Sequence, residues 1–442
     1  MNFLIALGNR IRTADPHHFA IFKGMASVAM FVFLGKLMSA AKEMAVAYRY
    51  GLGAEVDAYQ FVCNLIGWPL GMWSSLLTAV LVPLSARIRQ FDREELSHFR
   101  SELFGLALIF GLVLALLVSL VIGAILHFGW SGLPANTEQL AIRALPGLIL
   151  LLPLGSIVTL QTAWMLSAGR HVNTLLDSVP TLFIAGAVLV FSGGEIEPLV
   201  WGTVVGSVFH LITLVIPMAR RNEIEGPSFT YTSSQWHWFW QGFGIMLAGQ
   251  AMMSLTVIVD QFFAVNLGTG AIATLGYANR ILTLILGLAA IAVSRATLPV
   301  FSQAKLNSAV RMHEIAIYWV RLMFMLGLGA MVIGYWLAPW AVKLLFERGA
   351  FSETDTRIVA NVLRYGLLQL PFYFASSVLV SYALSQRRYT LIFWSGVIGI
   401  VFKSIGNVVL VPHLGINGIA AASAFMAGFI ALFFWLTLRY LK

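Results

Sequence analysis

Cysteine is almost missing from this chain. The one thiol, Cys63, excludes an internal disulfide and any multi-cysteine metal site and suits apolar packing. Charge is scarce as well: 11% of the 442 residues carry it, and acid is the rarer sign, 19 Asp and Glu against 28 Lys and Arg. No GxxxxGK phosphate loop, HExxH motif or GxSxG elbow occurs, so no cofactor is expected and a transporter is favoured over an enzyme. Movement of a cargo would then draw on an ion gradient, membrane potential or cargo supply, the coupling ion being left open. Apolar sequence is what the chain has in quantity, 59% of residues with a mean hydropathy of +0.84.

That apolar sequence recurs in runs of about 20 residues, the length that crosses a bilayer. We read an all-α integral membrane protein with twelve transmembrane segments, at 26–50, 57–85, 102–128, 139–167, 172–192, 198–218, 236–265, 271–302, 313–337, 356–385, 390–411 and 416–438. Pro69, Pro153 and Pro180 are candidate kinks. With both termini cytoplasmic, sixteen Lys and Arg fall on the inner side and only Lys343 and Arg348 in the opposite loops, as the positive-inside rule requires. The formal charge of +9 therefore has a membrane explanation, and nucleic acid is not an expected partner. Residues 1–25, with Arg10, Arg12 and Lys23, read as an uncleaved amphipathic lead-in.

Ten cations fall within or at the ends of segments. Arg49, Arg143 and Arg357 lie where they can snorkel and Arg321 is a tenth, whereas Lys36, Lys42, Arg280, Arg295, Arg364 and Lys403 are buried in apolar sequence answered mainly by Glu43, Asp177, Asp260 and, at the outer rim, Asp57. A charge at the bilayer centre costs at least about 2.5–3.5 kcal/mol, so such a surplus implies an aqueous cavity or an anionic ligand. The first segment carries the densest cluster. At 100° per residue Lys36 and Glu43 lie within about 20° of each other, and Gly35, Ser39 and Lys42 complete a polar wedge of roughly 120°. An internal Lys–Glu pair that only joins helices is the plainer reading of this wedge, and it would leave Lys42 unpaired. The aromatic run Trp236, Trp238, Phe239 and Trp240 reads as an interfacial belt.

The chain also repeats. A shift of 216 residues lays Gly71 on Gly287, Pro83 on Pro299, Thr174-Leu175 on Thr390-Leu391 and Gly202 on Gly418, and a shift of 218 lays Leu166-Ser167 on Leu384-Ser385. The offset spans six predicted segments, which points to two six-helix bundles, 26–221 and 236–442, joined by a cytoplasmic linker at 222–235 and enclosing a central cavity.

Several stretches, taken in order, carry a family resemblance: Gly35-Lys36-Leu37-Met38-Ser39-Ala40-Ala41-Lys42-Glu43, Gly51-Leu52-Gly53, Val56-Asp57-Ala58-Tyr59, Asp260-Gln261-Phe262-Phe263-Ala264, Gly276-Tyr277-Ala278-Asn279-Arg280, and Leu345-Phe346-Glu347-Arg348-Gly349-Ala350-Phe351-Ser352. Together they resemble the bacterial lipid II flippases (MurJ/MviN) of the multidrug/oligosaccharidyl-lipid/polysaccharide (MOP) exporter superfamily. The resemblance implies a MATE-like fold in the bacterial inner membrane. It implies a polyprenyl-diphosphate-linked saccharide as cargo, with Lys36, Lys42 and Arg280 standing where the family places arginines that meet the diphosphate. Arg295, Arg364 and Lys403 join them as candidate substrate-binding cations, with Glu43, Asp57 and Asp260 as gating or charge-balancing acids.

This sequence departs from the family at Asn279, Thr283 and Leu70, and it ends after the twelfth segment where lipid II flippases carry two more. On that ground another lipid-linked saccharide, an envelope or exopolysaccharide precursor, is expected ahead of lipid II. Membrane lipids and polysaccharide or peptidoglycan assembly proteins are the expected partners. A cation-coupled multidrug exporter on the same fold is the rival, and it would need an acidic cavity.

Overall fold

The computed structural model describes residues 16–88, 93–168, 173–191, 195–221, 223–307, 309–386 and 388–439. These residues form fifteen helices and no strand. The first half holds α1 (Pro16–Tyr50), α2 (Ala54–Ile88), α3 (Arg93–His127), α4 (Ala135–Leu148), α5 (Leu151–Ser167), α6 (Asn173–Leu176), α7 (Val179–Val190) and α8 (Glu197–Ala219). The second holds α9 (Trp236–Val265), α10 (Ala271–Asn307), α11 (Ala309–Phe346), α12 (Glu353–Leu367), α13 (Leu370–Ser385), α14 (Tyr389–Leu414) and α15 (Ile416–Arg439). Every predicted segment falls on one helix or on a consecutive pair. Among the described residues six helices are long and apolar enough to cross a membrane, or eight if each of two bent pairs is one span. Helix α1 starts at Pro16, inside the expected lead-in, and residues 1–15 lie outside the described residues.

The repeat is visible in the breaks. Helices α4 and α5 meet at 50°, and α12 and α13 meet at 43°. Pro153 and Pro371, separated by 371 − 153 = 218 positions, sit in the first turn after each break. Proline is tolerated there because its missing N–H would have no partner in a first turn. Pro180 likewise opens α7, while Pro69 lies within the continuous helix α2. Packing follows the same symmetry. Helix α2 lies on α4 and α5 as α10 lies on α12 and α13, and α7 pairs with α8 as α14 pairs with α15. The halves meet unevenly, since α9 packs along α2 whereas α1 and α10 make at most marginal backbone contact among the described residues.

The connection at 223–235 is an extended strap laid on the start of α3. Its anchor is Glu102, which accepts from the Thr230 hydroxyl (2.7 Å), the Thr232 amide (2.7 Å) and the Trp236 indole (2.7 Å). The Ser228 amide donates to the Ser101 carbonyl at 2.9 Å, and a side chain at Gly105 would strike the Ser228 carbonyl. Trp236 and Phe239 are buried against Phe99, so they are core rather than interfacial belt; Trp238 and Trp240 stay exposed. The run divides this way because successive helical residues point about 100° apart.

Candidate functional site

Lys36, Lys42, Glu43 and Arg280 come together where α1 faces α10. Glu43 is buried, and its Oε1 lies 2.6 Å from Lys42 Nζ and 2.8 Å from Arg280 Nε. Both cations approach the same carboxylate oxygen as ion pairs. Lys36 lies on the same wall, exposed, with no carboxylate in ion-pair range among the described residues. The plain Lys36–Glu43 reading is thereby corrected. Lys42, expected to be the unpaired lysine, takes the acid, because its four-carbon stem is long enough to bring the ammonium onto the carboxylate of the next residue, and Lys36 is the cation left over. Three cations and one acid leave a net charge of +2 on the cleft.

The cleft is lined by Lys36, Ser39, Ala40, Glu43 and Arg280, and closed by Leu345 and Phe346 of α11. It encloses about 90 Å3. At about 30 Å3 per water it has room for roughly three waters, too few for a diphosphate with its sugar. Arg280 is half-exposed here and spends only Nε on Glu43, so its terminal N–H groups remain free to meet an anion.

A latch between the halves lies on the far side of this cluster. Asp57, near the start of α2, accepts from the backbone amides of Gly270 (2.5 Å) and Ala273 (2.7 Å) at the start of α10. A carboxylate at a helix N-terminus satisfies orphan N–H groups and opposes the positive end of the dipole. The Ala350 amide donates to the Tyr48 carbonyl (2.8 Å), and the Tyr277 hydroxyl donates to the Gly51 carbonyl (3.2 Å). At Gly51, with φ +54°, a Cβ would lie 2.6 Å from the Ala350 carbonyl oxygen, so only glycine allows the loops to touch. Tyr277 packs against Phe346, tilted at 4.9 Å, and against Phe351, edge-on at 5.5 Å.

The other predicted cations are elsewhere. Lys403 of α14 is buried and surrounded by oxygen: Asp260 Oδ1 on α9 at 2.9 Å, the Ile419 carbonyl at 2.8 Å and the Ser423 hydroxyl on α15 at 2.5 Å. Asn407 donates to the same Asp260 oxygen at 3.0 Å. This network joins three helices of one half and does not reach the cleft, so neither Lys403 nor Asp260 stands with the Glu43 cluster. Arg364 of α12 lines a separate cavity with Tyr335, Asn361 and Asn417. The side chain of Arg295 lies outside the described residues. Sequence reading missed Ser423, the Ile419 carbonyl and the aromatic closure by Phe346; the first two carry no charge that marks them, and Phe346 is one of 31 phenylalanines. Among the described residues no cluster of three metal-ligating side chains occurs.

The family model described as Lipid II flippase MurJ matches residues 46–441. A probable lipid II flippase MurJ of Buchnera aphidicola subsp. Baizongia pistaciae is 21% identical over 365 residues, covering 80% of this chain and 71% of that one. In fold the chain is similar to a lipid II flippase MurJ in an inward closed conformation, with TM-score 0.79 at 18% identity over 94% of this chain and 87% of that one. It is also similar to an inward-facing multidrug resistance MATE family transporter of the MOP superfamily, with TM-score 0.71 at 17% identity over 92% and 94% of the two chains.

Proposed function

Because the chain belongs to the lipid II flippase MurJ family, we propose that it moves lipid II, headgroup first, across the bacterial inner membrane by alternating access. At the coarser level it is a multi-pass flippase for a lipid-linked saccharide, a transporter and not an enzyme. Preference for an exopolysaccharide precursor rested on where the chain ends; the family match supports the peptidoglycan reading instead. Twelve crossings, with 26–221 and 236–442 as the rocking bundles and both termini cytoplasmic, belong to the same proposal.

The observation that carries it is the surplus of positive charge at the α1–α10 cleft, where Lys42 and Arg280 share Glu43 and Lys36 has no acid. A diphosphate entering this cleft competes with Glu43 for cations already in place. Lysine keeps the charge but lacks the planar fork of arginine, so Lys36 and Lys42 act as point charges while Arg280 supplies directed donors. The cleft must open to admit the headgroup, and it opens toward the side away from the latch, since Asp57, Gly51 and Ala350 hold the other end shut. Rocking then transfers closure from the latch to the opposite end. Direction comes from the difference in affinity that the two states show for loaded and empty cleft.

The test is headgroup translocation in proteoliposomes carrying labelled lipid II. Lys42→Gln and Arg280→Gln are each expected to lower the rate by about tenfold or more, about 1.4 kcal/mol or more of lost interaction. Unchanged rates in both would remove the proposal. A cation-coupled multidrug exporter would require acid in excess at the cleft, and the balance here is the reverse.

A further inference from the structure

Arg364 sits in the last turn of α12, and part of its role is structural. Pro339 lies within α11 and has no N–H, so the carbonyl of Tyr335, four residues earlier, loses its helical donor. Arg364 Nε supplies one at 3.1 Å. Its Nη1 reaches Asn361 Oδ1 at 3.3 Å, and its guanidinium carbon stands 4.9 Å from the Tyr335 ring centroid. Those contacts fix the group in place and use two of five N–H donors. Three donors and a full charge are left, with no carboxylate in ion-pair range among the described residues.

The surplus donors border a cavity of about 330 Å3 lined by Tyr335, Asn361, Arg364, Tyr365, Leu368 and Asn417. The Asn417 amide oxygen is buried without a hydrogen-bond partner. Asn417 and Tyr365 both line the cavity, and each carries a group able to donate, the amide nitrogen of the first and the hydroxyl of the second. Outside the cavity the α11 surface is apolar and exposed at Val332, Ile333, Trp336 and Leu337, the face a lipid chain covers. The site is therefore cationic and polar within, apolar around, and located between α11, α12 and α15, on the latch side of their breaks and turns. An unanswered guanidinium inside a membrane segment demands an anion or water, and its planar donors match phosphate geometry.

We propose that this cavity binds the phosphate of a membrane lipid, with Arg364 as the anchoring cation and Asn417 and Tyr365 as flanking donors, separate from the Glu43 cleft. A volume near 330 Å3 accepts a phosphate ester headgroup and is too small for a saccharide of several sugars. Two lipid sources share this chemistry, a glycerophospholipid and a polyprenyl phosphate. The occupant of the Glu43 cleft plays no part in the proposal, which stands whether or not that cleft carries lipid II.

The experiment is native mass spectrometry of the full chain released from detergent, titrated in separate arms with phosphatidylglycerol, polyprenyl phosphate, diacylglycerol and inorganic phosphate. Wild type is expected to retain one tightly held phosphate lipid, and Arg364→Gln to bind it about tenfold more weakly. Arg357→Gln, at an exposed cation of the same helix, is expected to leave that binding unchanged, and diacylglycerol to show no difference between wild type and Arg364→Gln. The arm with the lower dissociation constant identifies the lipid source; competition by millimolar inorganic phosphate would show that the acyl or prenyl chain adds little. Because Arg364 also serves the Tyr335 carbonyl, Asn417→Leu provides a second reading: it replaces a polar group of the cavity wall with an apolar one, leaves the Arg364 contact to Tyr335 in place, and is expected to weaken the same lipid by a similar factor. If Asn417→Leu and any folded Arg364→Gln bind phosphate lipids as wild type does, the site does not exist.

Discussion

Two Lys–carboxylate groupings lie inside the molecule, and they are built to opposite ends. Around Lys403 the ammonium meets Asp260, a backbone carbonyl and a serine hydroxyl, all from helices of one half. Charge there is matched one to one and every donor is spent. Around Glu43 the acid is shared by two cations from different halves, a third cation stands by, and the group borders a cleft. The comparison teaches that a charge inside the membrane does not by itself mark a ligand site. What marks one is charge left over after the protein has paired its own.

The sharpest way to break the comparison is Lys403→Met. It strands Asp260 in a buried site, and removing one member of such a pair typically costs about 3–5 kcal/mol, to be seen as a large fall in thermal midpoint of the detergent-solubilised protein. Adding Asp260→Asn to that variant should restore much of the loss. If Lys403→Met is as stable as wild type, the matched grouping is not what holds α9 to α14 and α15. Next in size is Asp57→Asn, which weakens the charge-assisted contact to the start of α10 by about 1–2 kcal/mol. In a Cys63→Ser background, a cysteine introduced at Ala350 should then react faster with a membrane-impermeant thiol reagent. Equal reactivity would mean that the carboxylate contributes nothing to the latch. Smallest in stability is Lys36→Gln, within about 0.5 kcal/mol of wild type since no pair is lost. Its lipid II translocation should nonetheless fall, whereas Lys403→Met/Asp260→Asn should leave translocation near normal. Reversal of that contrast would erase the distinction between the groupings.

Much of this was legible beforehand, and the residues show why. Apolar runs of bilayer length and the 216-residue repeat located every helical segment, because hydropathy and segment length are local properties. The helix breaks were less legible: Pro153 was read as a candidate kink and does follow one bend, whereas Pro371, unremarked in the sequence, follows the other. Lys36, Lys42, Glu43 and Arg280 were grouped correctly, since helical periodicity aligns the first three and the family resemblance supplies the fourth. Lys403 and Arg364 were grouped with them only because they share charge and apolar surroundings. Nothing in one dimension reveals that Ser423 and the Ile419 carbonyl close around the first, or that Pro339 frees a carbonyl for the second.

The amino-acid sequence on its own determined a helical membrane protein, doubled internally, with too much positive charge inside its apolar segments to lack a purpose. Tertiary structure alone decided which of those charges are satisfied. Pairing depends on oxygens brought from helices distant in the chain, among them backbone carbonyls that every residue possesses. The number of cations can be counted in a sequence; the number still unanswered exists only once the helices have packed.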